Sequence, residues 1–279
     1  MYIKCWGSRG SIPVSGVDYI QYGGDTTCVE IRARSGEIII VDAGTGIRRL
    51  GNQLIQENRF NYHFILTHAH WDHLMGFPFF KPLYRKESLI KMHQCPLADN
   101  YVEQIFSRVM APPNFPVQYS NLKATMDYQQ GCPQSFDIGS IHIIPIPISH
   151  PNQGSGYKFV EDGKSLVFLT DNELGYVHPG GLAYPDYLEF CTGVDLLIHD
   201  AEYTPQEYET TIKWGHSSYV DVLKLATAAG VRQLGLFHMN QERTDPAMDQ
   251  IVHDCRSRLK DRSAGIECFA VACDQVMAL

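Results

Sequence analysis

Residues 65–73 read Ile-Leu-Thr-His-Ala-His-Trp-Asp-His, and this stretch decides the fold of the chain. It places three imidazoles and one carboxylate within six positions, directly after an apolar run that is typical of a strand. The four side chains are His68, His70, Asp72 and His73. Such polar side chains are poorly suited to a hydrophobic core. They are well suited to a metal site, because imidazole and carboxylate groups bind zinc and also manganese or iron.

A single turn of chain cannot aim all four side chains at one ion. The spacing therefore predicts two adjacent divalent metal ions, with zinc expected and manganese or iron as alternatives. Two such ions can clamp the attacking and leaving oxygens of a hydrolytic displacement. Isolated histidines, such as His63, His93, His142 and His253, are instead expected on the surface or in the core.

The composition is ordinary for a globular enzyme, with 44% hydrophobic and 19% charged residues among 279. A net charge of −8 argues against broad binding to nucleic-acid backbone, for which a basic surface is expected. A small anionic substrate remains compatible with this charge, because bound metal cations reverse the local field.

The sequence also bears on where the protein works. The first residues run directly into an expected strand without an export signal, and no apolar run is long enough to span a membrane. The eight cysteines are scattered and form no CxxC pair, so we expect free thiols and a cytoplasmic setting.

A chain of this length can bury one sizeable core, and we expect a single domain over residues 1–279. Two series of strands followed by helices favour an α+β fold, in which two mixed sheets pack face to face with helices outside. Residues 82–130 could form a lid or a dimer face. Residues 141–148 alternate with prolines and predict an edge or irregular strand. The other predicted strands are 29–33, 37–41, 63–66, 157–161, 165–169, 196–198, 233–237 and 267–272, and the predicted helices are 47–57, 100–110, 219–229 and 245–259.

A two-metal cage needs more ligands than the first loop supplies. His150, Asp171 and His238 each follow directly after a predicted apolar strand. Each could be a turn residue when considered alone, because aspartate is common after strands. The repeated placement predicts that all three join the cage.

This pattern resembles the metallo-β-lactamase-fold hydrolases, whose fold is an αββα sandwich, and the resemblance covers nearly the whole chain. It implies two groups of ligands joined by one bridging carboxylate and a bridging water or hydroxide. These are His68, His70 and His150 for one metal, Asp72, His73 and His238 for the other, and Asp171 as the bridge.

The family's aspartate at the end of an early strand is matched by Asp42. The resemblance implies that Asp42 supports the first metal loop from behind. The alternative for Asp42 is a cap on the helix predicted over residues 47–57. No cysteine stands at the position of Asp171, which separates this chain from the classical lactamase pattern.

The C-terminal half resembles the transfer-RNA 3′-processing endonucleases of the RNase Z type. Asp200 ends an apolar strand, and His216 precedes two serines at a helix start. By this resemblance Asp200 orients His216, which donates a proton to the leaving oxygen or stabilises the phosphorane. The alternative is that a serine caps the helix and His216 merely lies beside it. The predicted catalytic residues are thus Asp72, Asp200 and His216.

The N-terminal glycine-rich turns are similar to those of bacterial cyclic-nucleotide phosphodiesterases of this fold. Ser8, Arg9 and Thr26 could face a ligand there, or the glycines could only form tight turns. The long arm with which RNase Z enzymes grip transfer RNA has no counterpart in the sequence. A large RNA substrate is therefore disfavoured.

The sequence as a whole predicts a dinuclear metal phosphodiesterase for a small nucleotide-like diester, such as a 3′,5′-cyclic nucleotide, cleaved by a metal-bridging hydroxide. Relatives are often dimers, so a homodimer is expected. Three alternatives remain open: an RNase Z-like nuclease on short nucleic acid, a lactone or thioester hydrolase, and a nucleotide-binding protein without activity.

Overall fold

The computed structural model describes residues 1–93, 101–129, 131, 133–261 and 265–279. Within these residues the strands are β1 (Tyr2–Gly7), β2 (Cys28–Arg32), β3 (Ile38–Val41), β4 (Asn61–Ile65), β5 (Leu89–His93), β6 (Thr125–Gln129), β7 (Phe136–Ile138), β8 (Ile141–Pro147), β9 (Ser155–Glu161), β10 (Lys164–Leu169), β11 (Leu196–Asp200), β12 (Gln233–Phe237), β13 (Glu267–Ala270) and β14 (Val276–Ala278). The helices are α1 (Ile47–Gln56), α2 (Tyr101–Val109), α3 (Tyr184–Cys191), α4 (Pro205–Thr211), α5 (Tyr219–Ala229) and α6 (Asp245–Asp261).

The strands form two seven-stranded sheets, ordered β14-β1-β2-β3-β4-β5-β6 and β13-β12-β11-β10-β9-β8-β7. Each sheet joins an antiparallel part to a parallel part. The parallel strands are β3 to β6 in the first sheet and β10 to β13 in the second. Loops that follow parallel strands gather at one edge of a sheet, which is where ligands bind in mixed folds.

Successive side chains of a strand point to opposite faces of its sheet, and β3 shows how this gives the sandwich an inner and an outer core. All four of its residues are buried. Ile39 and Val41 belong to the core between the two sheets, whereas Ile38 and Ile40 join the outer core that α1 covers. Helices α3, α5 and α6 cover the outer face of the second sheet in the same way. The predicted αββα sandwich of mixed sheets is confirmed.

Local signals explain where the predicted elements begin and end. Helix α5 starts after Ser218, whose side chain accepts a hydrogen bond from the backbone N–H of Asp221, and ends at Gly230 in the left-handed conformation. Asp162 and Gly163 both have positive φ, which matches the twist of the β9–β10 hairpin.

The prediction of an edge strand over residues 141–148 is wrong in part. Strand β8 pairs with β9 along its length and also with β7 over Ile141–Ile143. Its outer side is open only beyond that short pairing, where Pro145 and Pro147 stand. Because β7 has only three residues, it does not extend as far as Pro145 and Pro147. No strand on this side therefore lacks a hydrogen bond that a proline N–H would have to donate.

The segment 82–130 contributes β5 and β6 to the first sheet and helix α2 to its outer layer. A role of this segment as lid or dimer face stays a prediction, and residues 94–100 and 130 lie outside the described part. No helix among the described residues is long and apolar enough to cross a membrane. The six cysteines described are free thiols, whereas Cys95 and Cys132 lie outside the described residues.

Candidate metal centre

Three site residues stand in the left-handed conformation where a strand ends. Asp42, Asp171 and His238 have φ of 64°, 54° and 55° and follow β3, β10 and β12. Residues other than glycine rarely adopt this conformation, and such strain concentrates at functional sites. At two of these positions the turned backbone brings the side chains of Asp171 and His238 within 3.3 Å of each other.

The first group of ligand atoms comes from His68, His70, His150 and Asp171, and these atoms lie within 4.8 Å of one another. His150 Nε2 lies 3.0 Å from His70 Nδ1, and His68 Nε2 lies 3.4 Å from an Asp171 oxygen. Three loops, which follow β4, β8 and β10, therefore bring these side chains together, as the sequence predicted.

The second group comprises Asp72, His73, Asp171 and His238, again within 4.8 Å. His238 Nε2 lies 3.0 Å from Asp72 Oδ2 and 3.3 Å from Asp171 Oδ2. His73 Nε2 lies 3.3 Å from each of the same two carboxylates. Asp171 thus belongs to both groups, in the place expected of a bridging ligand.

The donor set fits two divalent cations. Nε2 of His68 and Nε2 of His73 are buried and make no hydrogen bond within the described residues, so each nitrogen is available to a cation. Burial lowers the pKa of His150 to about 3 and that of His68 well below its ordinary value, so both are neutral imidazoles. Neutral imidazole with carboxylate is the chemistry of zinc, manganese and iron sites.

Asp42 holds the first loop from behind. It is fully buried and accepts hydrogen bonds from the N–H and Oγ1 of Thr67, both at 2.7 Å. Its Oδ2 also lies 2.8 Å from His73 Nδ1, which leaves Nε2 of that ring for a metal. The alternative of a helix cap does not occur, since the N-cap of α1 is Gly46 and no side chain caps this helix.

Asp200 and His216 form a buried pair, with Oδ2 accepting from Nδ1 at 2.9 Å. The His216 ring stacks on that of His238 at 4.7 Å between centroids and lies 5.2 Å from that of His150. Burial would lower the pKa of His216, but Glu202 and Asp200 raise it to about 9. The two carboxylates therefore favour the imidazolium form, which can donate a proton.

Sequence reasoning missed Glu202, which is buried and whose Oε2 lies 3.0 Å from His238 Nδ1 and 3.5 Å from His216 Nδ1. A signal was present, because Glu202 lies two residues after Asp200 at the same strand end. It supports a candidate ligand in the way that Asp42 supports His73.

Glu173 was also missed. Its buried carboxylate accepts hydrogen bonds from His178 Nε2, the hydroxyl of Tyr208 and the backbone N–H groups of Lys213 and Gly215, at 2.7 to 2.8 Å. The carbonyl of Gly215 in turn lies 2.8 Å from Nδ1 of His150. Glu173 therefore anchors the loop that orients His150, a candidate ligand. No local sequence pattern predicts these contacts.

The backbone of the N-terminal turns lies close to the candidate metal ligands. Ser8, Arg9 and Thr26 are fully buried, and the Arg9 guanidinium donates to the carbonyls of Gly23, Asn240 and Arg243. The Thr26 hydroxyl accepts from the backbone N–H of Thr45, so the side chains of Arg9 and Thr26 are both engaged within the protein. A Cβ on Gly10 would lie 2.3 Å from His238 Nδ1, so glycine is required there.

Comparison with known proteins agrees with this geometry. The family described as the beta-lactamase superfamily domain matches residues 37–239. Ribonuclease Z of Sulfurisphaera tokodaii is 25% identical over 222 residues, covering 64% of this chain and 70% of that protein.

Two solved structures share the fold. The metallo-β-lactamase-fold protein YhfI from Bacillus subtilis has a TM-score of 0.71 at 16% identity, covering 99% of this chain and 98% of that one. Yeast PDE1 has a TM-score of 0.66 at 13% identity, covering 100% and 99%. Because the family match spans most of the chain, from before His68 to His238, this protein belongs to the beta-lactamase superfamily, and the predicted class of metal-dependent hydrolase is confirmed.

Proposed function

We propose that this protein is a dinuclear metal phosphodiesterase for a small nucleotide-like diester, with 3′,5′-cyclic nucleotides as the first substrates to test. One observation carries the proposal. The buried Asp200–His216 pair stacks against His238, beside two ligand groups that share Asp171. A proton donor next to two cation sites suits the cleavage of a phosphodiester, whose leaving oxygen needs a proton.

The residues divide the work as follows. Asp171 and the six other ligands named above would hold two divalent cations, which would supply Lewis-acid charge for phosphoryl oxygens and lower the pKa of water. Asp200 fixes the tautomer and orientation of His216 through Nδ1, so that Nε2 is the nitrogen available to the substrate. His216 donates its proton to the leaving oxygen.

The substrate class rests on two supports. The similarity to ribonuclease Z, an enzyme named for cleaving RNA, favours a phosphodiester. The net charge of −8 favours a small diester over a long polyanion. Acidic side chains outnumber basic ones, so the protein is poorly suited to neutralise a long row of phosphates. Zinc as the metal, a homodimer and a cytoplasmic setting are further parts of this proposal.

The test uses purified protein loaded with Zn²⁺ or Mn²⁺ and assayed on bis(p-nitrophenyl) phosphate and on a cyclic-nucleotide panel. His216→Ala should keep two metals per chain and lose turnover by about 10²- to 10⁴-fold, the range for a general acid. His253→Ala, which removes an exposed histidine of α6, is the matched control and should turn over like the wild type. Absence of diester hydrolysis by the metal-loaded wild type would refute the proposal, and unchanged turnover in His216→Ala would remove the dyad from it.

The second candidate is an RNase Z-like nuclease on short nucleic acid, which the sequence similarity favours directly. Cleavage of oligonucleotides faster than of cyclic nucleotides, with a steep dependence on salt, would support this candidate. Hydrolysis of a lactone or thioester, without cleavage of any diester, would favour a lactone or thioester hydrolase. Tight nucleotide binding without turnover would indicate a protein that kept the cage and lost the activity.

A further inference from the structure

A pocket of about 300 Å³ opens beside the proposed proton donor. His216 and Glu202 lie at its inner end, so it adjoins the pair that would protonate the leaving oxygen. Trp214, Gln241, Glu207 and Ser11 are also among its lining residues. The pocket is therefore a candidate place for the group attached to the leaving oxygen.

Trp214 is held at this pocket by strained and anchored backbone. The indole is 64% exposed. On either side of it, Lys213 has φ of 76° and Gly215 has φ of 95°, and the N–H groups of both donate to the buried carboxylate of Glu173 at 2.8 Å. The anchored turn thus holds a large aromatic ring that is exposed to solvent. Such a ring is suited to stacking on a flat ligand.

The remaining lining favours a neutral ligand with polar groups. Oε1 of Gln241 is shielded from solvent and has no hydrogen-bond partner within the described residues, so it is an acceptor left for a donor. The lining contains no lysine or arginine among the described residues. The nearby Arg243 is paired with Glu207, and the second carboxylate, Glu202, is hydrogen-bonded to His238.

We propose that this pocket takes the nucleoside of the substrate, with the base stacked on Trp214, and admits no phosphate other than the scissile one. A further phosphate on that nucleoside would meet carboxylates and no free cation. A hydroxyl or amino group of the nucleoside donates to Gln241. This inference rests on the proposed phosphodiesterase function and narrows its substrate to a single nucleotide unit.

The test compares kcat/KM on a 3′,5′-cyclic purine nucleotide with kcat/KM on methyl p-nitrophenyl phosphate, which has no nucleoside. Trp214→Ala should lower the ratio of the two values about tenfold or more, and Trp214→Phe should restore most of it. A defect in folding or metal loading would lower both values together, so an unchanged ratio in Trp214→Ala overturns the stacking role. A short oligoribonucleotide cut as efficiently as the cyclic nucleotide overturns the exclusion of further phosphates.

Binding without turnover separates this inference from the proposed function. In a Trp71→Phe variant the fluorescent indoles are Trp6, which is buried, and Trp214. Adding a purine nucleoside monophosphate to the metal-loaded variant should quench Trp214, and the further change Trp214→Phe should abolish the response. If the wild type cleaves no diester, the proposed function fails while this quenching still supports the pocket. Quenching that persists without Trp214, or no quenching in either variant, overturns the pocket.

Discussion

The carboxylate of Glu202 accepts a hydrogen bond from Nδ1 of His238 at 3.0 Å and lies 3.5 Å from Nδ1 of His216. One buried acid therefore contacts both a candidate metal ligand and the proposed proton donor. The contact fixes the His238 ring with Nε2 toward Asp72 and Asp171. Partners of this kind raise the basicity of the ligand and hold its orientation.

Replacing Glu202 with Gln should weaken the second metal site. The amide is neutral and cannot stabilise the His238 ring as the carboxylate does, so metal affinity should fall by about 10- to 100-fold. Competition with a chromogenic chelator measures this change without any assay of activity. Glu209→Gln, an exposed change on α4, is the control and should bind metal like the wild type. Equal affinity in the two variants would contradict the supporting role of Glu202.

Asp42 offers a way to separate stability from metal binding. Asp42→Ala leaves the buried N–H and hydroxyl of Thr67 without an acceptor, which should lower the free energy of unfolding of the metal-free protein by about 2 kcal/mol or more. Asp42→Asn should lose less stability, because asparagine tolerates the positive φ and one oxygen can still accept from the Thr67 N–H. It should nevertheless lose metal affinity, since the contact with His73 Nδ1 needs the second oxygen.

Urea unfolding in the presence of a chelator tests the order of these variants, with the exposed Asp18→Ala as the control. An alanine variant as stable as the asparagine variant would show that Thr67 finds other partners.

Glu173→Gln should loosen the loop that carries Trp214. The buried carboxylate accepts four hydrogen bonds, and an amide has only one oxygen to share among those donors. The free energy of unfolding should fall by about 3 kcal/mol, because at least one buried donor loses its acceptor. Hydrogen exchange at Lys213 and Gly215 should accelerate more than at strand amides. Uniform acceleration across the chain would indicate general destabilisation and not a local anchor.

Gly10→Ala should disturb the second metal group by a steric route. The added Cβ would lie 2.3 Å from Nδ1 of His238, so the ring must move and lose its contact with Glu202. The metal content at micromolar free Zn²⁺ should fall from two towards one per chain. Gly265→Ala is the matched control, because its Cβ meets no atom within 4 Å. Two tightly held metals in Gly10→Ala would show that the backbone shifts instead.

Much of the site could be predicted from the chain because its ligands follow a local rule. A metal-binding side chain directly after an apolar strand is visible without tertiary information, and this rule located His150, Asp171 and His238. The apolar runs of the central strands, such as β3, β11 and β12, likewise predicted most of both sheets. Strands β6, β7 and β14 were missed. For β7 and β14 the reason is that three residues carry too little pattern to distinguish a strand from a loop.

What the sequence by itself determined is therefore the set of candidate metal-binding side chains and the layered fold that presents them. The tertiary structure alone decided which acid supports which imidazole, that Arg9 points into the protein, and that Glu173 anchors the loop of Trp214. The physical reason is the range of each interaction. Strand alternation and turn residues act between neighbours in the chain, whereas Glu202 and His238 are 36 residues apart and meet only when two strand ends reach the same edge of the sandwich.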